Sequence, residues 1–305
     1  MSDVLEELRA RASRRQARIV LPETADARVA AARDRIVAEG LGEVVWVDDP
    51  AADPRLDDVA GLVYGRRKHK GVTEEQARVL AAQPLVFGAA LCALGHADCG
   101  VSGAAHATAD VIRAGLTCLG TAEDTPLVSS MFLMTRGDEA LSFADCGVLP
   151  APDAEQLVHV AAATAHNHAL LTGEEPRVAF LSFSTHGSAE HAHVTKMRSA
   201  CEAFVRAHPG VLADGELQFD AACVPDVAAR KCPSSPLQGR ANVLVFPDLD
   251  AGNIAYKLTQ YTAGATALGP FLQGFSRPLS DLSRGATVED IVATTTVVAA
   301  QVSPA

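Results

Sequence analysis

Aromatic residues are scarce in this sequence, with Phe, Tyr and Trp together making 5% of it and a single Trp among them. A core so poor in rings must be filled by Ala, Val and Leu, which suits helices packed closely on a sheet. Cys-x-x-Cys pairs are missing and the seven cysteines are odd in number, so neither a disulfide framework nor a zinc knuckle is indicated. A reducing compartment fits them. No strongly apolar run approaches the roughly 20 residues that span a bilayer. The longest, Leu85 to Leu94, stops at Gly95-His96 and reads as a buried helix. The opening Met-Ser-Asp-Val-Leu-Glu-Glu lacks the basic-then-apolar pattern of a secretory leader, giving a cytoplasmic expectation. A Walker A motif is absent, and Gly40-Leu41-Gly42 lacks a third glycine and precedes a strand, so no nucleotide fingerprint is present.

What is there describes a globular chain. Its 305 residues are 48% apolar and 21% charged, enough to bury two ordinary cores. The net charge of −11, from 37 acidic and 26 basic residues, argues against nucleic acid or an anionic membrane as a partner. An anionic substrate would therefore need a local positive site. Arg18 to Leu21 reads as a strand, 25–39 as an amphipathic helix and Val44 to Val47 as a second strand, which is a βαβ unit. Further strands are expected at 127–134, 177–183, 242–246 and 268–272, separated by Ala-rich helical stretches. The pattern predicts an α/β fold with mainly parallel sheets and covering helices. Phe143 to Pro152 and Gln273 to Pro278 look like crossing segments, which would make the first domain discontinuous. The expected division is 1–128 plus 276–305 for that domain and 129–275 for the second.

Two segments carry candidate chemistry. Arg66-Arg67-Lys68-His69-Lys70-Gly71 concentrates four formal positive charges; such a run often lies on a solvated face, but guanidinium groups also match phosphate geometry. Arg113 is either a second clamp arm or an ordinary helix arginine. The other segment is Ser283-Arg284-Gly285, followed by an apolar period that starts at Val288. Thr287 is then a plausible N-cap and Asp290 the third helical residue, where a carboxylate completes a capping box. The same helix end offers free N–H groups to an anion, with Arg284 beside it. Asp290 acts as a general base there only if burial raises its basicity. His191-Ala192-His193 with His186 has metal-like spacing, but no local carboxylate or cysteine set completes it, and no metal is expected.

Read together, these stretches resemble the phosphate acetyltransferase (phosphotransacetylase) family along nearly the whole chain. The matching segments are Arg67 to Thr73; Val101-Ser102-Gly103-Ala104 with His106, Thr108, Ala109 and Asp110; Leu181 to Thr185; Asp214 to Gln218; Ala241 to Leu249; Gly252-Asn253-Ile254; Tyr256-Lys257-Leu258; and Asp281 to Val292. The resemblance implies a homodimer of two three-layer α/β domains, similar to isocitrate and isopropylmalate dehydrogenases, with the active site between the domains. It implies reversible acetyl transfer between acetyl phosphate and coenzyme A, with CoA as a substrate and no tightly bound cofactor. By motif, Asp290 takes the thiol proton, Ser283 positions the thiol or stabilises the transition state, and Arg284, Arg67 and Arg113 hold phosphate or developing charge. Ser102, Thr108 and Lys257 join the substrate-binding set.

Acetyl phosphate carries its own leaving group, so the reaction needs a thiolate, positioning and cationic stabilisation more than a covalent nucleophile. The chain departs from the family pattern at Ala114, Tyr261 and Ser280, which leaves acyl preference and CoA contacts open. Alternatives are a phosphate butyryl- or propionyltransferase and a non-catalytic acyl-CoA-sensing module.

Overall fold

The computed structural model describes residues 4–302 apart from position 124. The fold is α/β, with ten strands and twelve α-helices among the described residues and mainly parallel strand pairing. Two compact units divide the chain: Ser129–Leu268 is one, and the residues up to Val128 together with those from Gly269 onward are the other. Among the described residues, no single helix is long and apolar enough to cross a membrane.

The discontinuous unit opens with α1 (Val4–Arg15), β1 (Arg18–Val20), α2 (Ala27–Ala38) and β2 (Glu43–Val45). Asp26 caps α2 by accepting the Arg28 N–H at 2.8 Å. Strands β1 and β2 pair in parallel, as the βαβ pattern predicts. Helix α3 (Leu56–Arg67) runs into a 3-10 turn over Lys68–Lys70, which Gly71 ends at φ +82°. Then come α4 (Glu74–Ala81), α5 (Pro84–Ala93), β3 (Cys99–Ser102) and α6 (Thr108–Cys118). Proline starts α5, and every residue from Leu85 to Cys92 is buried, so this helix is apolar all round.

The continuous unit contains β4 (Ser129–Arg136), β5 (Glu139–Ala144), α7 (Ala154–Thr172), β6 (Arg177–Leu181), α8 (Ala192–Ala207), β7 (Leu212–Leu217), α9 (Phe219–Cys223), α10 (Pro225–Lys231), β8 (Val243–Val245) and α11 (Leu249–Ala263). Its strands run β4-β5-β8-β6-β7, all parallel except the β4/β5 hairpin. Phe143 and Ala144, read from sequence as the start of a crossing segment, close β5. Phe132 and Tyr256 stack 3.9 Å apart in the apolar cluster where β4 and α11 meet.

The returning chain supplies β9 (Thr266–Gln273), β10 (Leu279–Asp281) and α12 (Val288–Gln301). In the discontinuous unit the order is β2-β1-β3-β10-β9, with only β9 antiparallel to its neighbour. The last helix packs against α1 and α2 and buries nine residues, Thr294, Thr295 and Thr296 among them. Strands expected near 127–134, 177–183, 242–246 and 268–272 fall on β4, β6, β8 and β9. Strands β3, β5, β7 and β10 were not anticipated.

Candidate active site

In the discontinuous unit, β1, β3 and β10 are adjacent and parallel, so their carboxyl ends share one edge of the sheet. Each is followed by a loop and a helix, α2, α6 and α12 respectively, whose N-terminus faces the same edge. Ligands of parallel α/β sheets bind at that edge. The Ser102 of β3 lies opposite the Asp281 of β10 in the register.

Two residues after β1 lock the other loops, and sequence reading missed both. Glu23 is buried, and its carboxylate accepts from the N–H groups of Gly103, Ala104 and Ala105, each at 2.8 Å. Three consecutive amides around one carboxylate form a filled anion nest. His106 Nδ1 lies 2.7 Å from the same carboxylate. Arg28 joins the next loop: Nη2 donates to the Ala104 carbonyl at 2.8 Å, and Nη1 donates to the Arg284 and Ala286 carbonyls, each at 2.9 Å. One guanidinium thus holds the loops after β3 and β10 together. Asp26 orients it through a bond of 2.7 Å.

Gly103, at φ +107°, lets these strand ends approach closely. A Cβ there would lie 2.1 Å from Asp281 Oδ1 and 2.8 Å from the Leu282 nitrogen. The Thr108 hydroxyl donates to Asp281 Oδ2. Asp281 is 1% exposed, and its Oδ1 finds no hydrogen-bond partner among the described residues. Burial raises this carboxyl from 3.8 to about 6, with the nearby Glu23 charge adding to the effect and the Thr108 bond opposing it. The burial asked of a basic carboxylate in this segment is therefore met by Asp281.

The sign of its linkage follows. The folded state binds the proton more tightly than the unfolded chain, so Asp281 makes stability rise as pH falls from about 6 to about 4. At neutral pH the ionised group costs on the order of 3 kcal/mol, at about 1.4 kcal/mol per pH unit. Asp281→Asn keeps an acceptor for Thr108 and is expected to raise the melting temperature at pH 7.5 and flatten the pH 4–6 dependence. An unchanged slope across that window in thermal melts would refute the burial argument.

After β10 the chain turns at Ser283, whose carbonyl accepts the Ala286 N–H at 2.8 Å while its hydroxyl accepts the Gly285 N–H at 3.2 Å. Ser283 and Arg284 are exposed, and the Arg284 guanidinium pairs with no carboxylate among the described residues. Thr287 caps α12, and the capping box forms: Asp290 Oδ2 accepts the Thr287 N–H and hydroxyl, each at 2.8 Å, and Thr287 Oγ1 accepts the Asp290 N–H at 3.2 Å. Asp290 itself is exposed. In the free chain the cap accounts for its geometry without catalysis.

Arg67 and Arg113 are brought to the same helix. Arg67 is half-buried and donates from Nη2 to Thr117 Oγ1 at 2.6 Å, and Thr117 in turn donates to the Arg113 carbonyl at 2.7 Å. Lys68, His69 and Lys70 are exposed, so in this basic run only Arg67 departs from a solvated face. The Arg113 side chain is 70% exposed and pairs with Asp110 at 2.5 Å. Lys257 belongs to α11 of the other unit, where it donates to Asn253 at 2.6 Å. Of the histidines with metal-like spacing, His186 lies 3.1 Å from Asp214, and His191 Nδ1 accepts the His193 backbone N–H.

Comparison with known proteins identifies the family. Residues 43–300 match the family model described as phosphate acetyl/butaryl transferase. The phosphate acetyltransferase of Thermoanaerobacterium thermosaccharolyticum is 42% identical, over 98% of this chain and 99% of that protein. The Paracoccus denitrificans phosphate acetyltransferase is 44% identical, over 93% of this chain and 94% of that one. A crystal structure of a phosphotransacetylase from Streptococcus pyogenes superposes with a TM-score of 0.93 at 37% identity, covering 99% of both chains. The match over nearly the full length of both chains places this chain in the phosphate acetyl/butaryl transferase family.

Proposed function

We propose that the protein catalyses reversible acetyl transfer between acetyl phosphate and coenzyme A, by direct attack of the CoA thiolate in a ternary complex. The observation that carries this reading is the Ser283-Arg284-Gly285 turn. It sets a guanidinium with no carboxylate partner among the described residues beside the N-terminus of α12, in a chain whose full-length relatives are phosphate acetyltransferases. Arg284 with Arg67 and Arg113 would hold the phosphoryl group and the charge that grows on oxygen. Ser283 would orient the thiol, with Ser102 and Thr108 lining the sheet edge. Asp290 would take the thiol proton, with CoA supplying on binding the burial that the exposed carboxylate lacks in the free chain. Lys257 is a CoA contact on motif alone.

Direct attack is supported by the cysteines. Burial pushes the thiols of Cys92, Cys118, Cys201 and Cys223 up to about 12, which suits packing better than nucleophilic catalysis. A dehydrogenase-like pair of three-layer domains, a homodimeric assembly and a cytoplasmic location complete the reading.

The decisive assay mixes purified protein with CoA and acetyl, propionyl or butyryl phosphate, and follows the thioester absorbance. Turnover is expected with all three to differing degrees and fastest with acetyl. A butyryl optimum would move the assignment to the butyryltransferase branch. No turnover with any would favour an acyl-CoA sensor.

A further inference from the structure

The acetyl-transfer reading leaves one chemical demand unmet. At neutral pH acetyl phosphate is a dianion, so breaking its C–O bond releases a phosphate trianion unless a proton reaches the departing oxygen. That trianion is a poor leaving group. The balanced reaction, acetyl phosphate dianion plus CoA thiol giving thioester plus hydrogen phosphate dianion, moves one proton from sulfur to phosphate oxygen. Asp290 addresses the sulfur end only.

We propose that His106, held by Glu23, is the acid that protonates the leaving phosphate. The proposal rests on the acetyl-transfer reading above and assigns the second proton transfer of that reaction. Glu23 accepts from three backbone N–H groups and also faces His106 Nδ1 at 2.7 Å. A carboxylate acting as acceptor in every one of these contacts requires Nδ1 to carry hydrogen, which makes Nε2 the atom that gains and loses a proton. A carboxylate that orients an imidazole through Nδ1–H is a recurrent arrangement for proton transfer at the other ring nitrogen. Here the carboxylate side chain is 3% exposed and the imidazole 39% exposed, so the anchor is inside and the ring reaches solvent.

Its placement fits the task. His106 follows Ala104 and Ala105 in the loop after β3, and Arg28 ties the Ala104 carbonyl to those of Arg284 and Ala286. The imidazole and the proposed phosphate-holding arginine therefore sit on two loops fixed to each other by one guanidinium. In the forward direction the thiol S–H bond breaks and its proton goes to Asp290. The sulfur then bonds to the acetyl carbon, the C–O bond to phosphate breaks, and the Nε2–H proton passes to the released oxygen. Exchange through water returns the proton from Asp290 to His106. In reverse, His106 takes the proton from attacking hydrogen phosphate.

A loop-bracing role is the alternative, and His106→Asn separates the two. The asparagine amide retains a donor towards Glu23 but transfers no proton. An acid role predicts that kcat falls by about 10²-fold or more. The KM values for CoA and acetyl phosphate should stay within about threefold, with the melting temperature preserved. A kcat within about threefold of the parent overturns the proposal, and so does a loss of kcat accompanied by raised KM for both substrates. His106→Gln, which offers a donor at the Nε2 position without proton transfer, is judged by the same criteria if the asparagine variant does not fold. Asp290→Asn measured alongside reports on the thiol end alone. Its failure to lose activity would sink the Asp290 assignment and leave the His106 result to stand by itself.

Discussion

Asp290→Asn is expected to lower turnover by about 10²-fold or more while leaving the affinity for both substrates nearly unchanged, the pattern of a lost general base. The substitution is close to isosteric. An asparagine oxygen still accepts from the Thr287 N–H and hydroxyl, so the capping box of α12 persists in weaker form, at a cost of about 1 kcal/mol or less. Stability and turnover therefore report on different functions of one side chain. Initial rates against each substrate, with chemical unfolding run in parallel, distinguish them. Near-parental turnover with a slightly lowered melting temperature would leave Asp290 as a cap and nothing more. The measurement discriminates sharply, because the free Asp290 carboxylate is exposed and the buried carboxylate of the segment is Asp281.

The largest loss of stability is expected from Gly103→Ala. A methyl group there meets Asp281 Oδ1 at 2.1 Å, the Leu282 nitrogen at 2.8 Å and the Leu282 carbonyl oxygen at 2.9 Å. Two of the three obstacles are backbone, and the third is a buried side chain held by Thr108, so no flexible tip yields. At φ +107° the alanine is also strained by its own conformation. Overpacking and backbone strain together amount to on the order of 3 kcal/mol or more. Gly71 supplies the control: at φ +82° an added methyl group would have nothing within 4 Å, so Gly71→Ala bears only the conformational penalty, on the order of 1–2 kcal/mol. Urea unfolding of the two variants compares the positions directly. Equal losses would mean that the approach of β3 to β10 is looser than described.

Much of this arrangement was legible in the sequence because the relevant signals are local. Leu85 to Cys92 is continuously apolar and is buried throughout, and Thr287 with Asp290 announces a capped helix through spacing alone. The missed strands have no such signal. β10 reads Leu-Ser-Asp, β3 reads Cys-Gly-Val-Ser, and β7 carries Asp-Gly-Glu in its interior, so neither alternation nor an apolar run marks them. They are strands because their neighbours in the sheet require partners. Glu23 and Arg28 were invisible for a related reason. Their partners lie 80 and 256 positions away, and a single acidic residue in a loop or a basic one at the start of a helix looks like ordinary solvated charge. The only local clue was an acidic residue shortly after the apolar Ile19-Val20-Leu21, at the end of a strand expected to lie inside the fold.

The split of one unit across the chain also has a consequence in time. Strand β10 fits between β3 and β9, yet the ribosome makes about 140 residues (129 to 268) after finishing the first part of this unit and before resuming it. At roughly 5–20 residues per second, that interval lasts on the order of 10–30 s. Throughout it, the β3 edge that β10 will cover is open on the nascent chain, and Glu23 and Arg28 have only the loop after β3 to hold. The continuous unit, whose contacts lie within one stretch, has every element it needs before the discontinuous one does. Biosynthesis thus completes the proposed active-site edge last, and until residues 279–301 emerge the uncovered β3 edge is open to pairing with another chain.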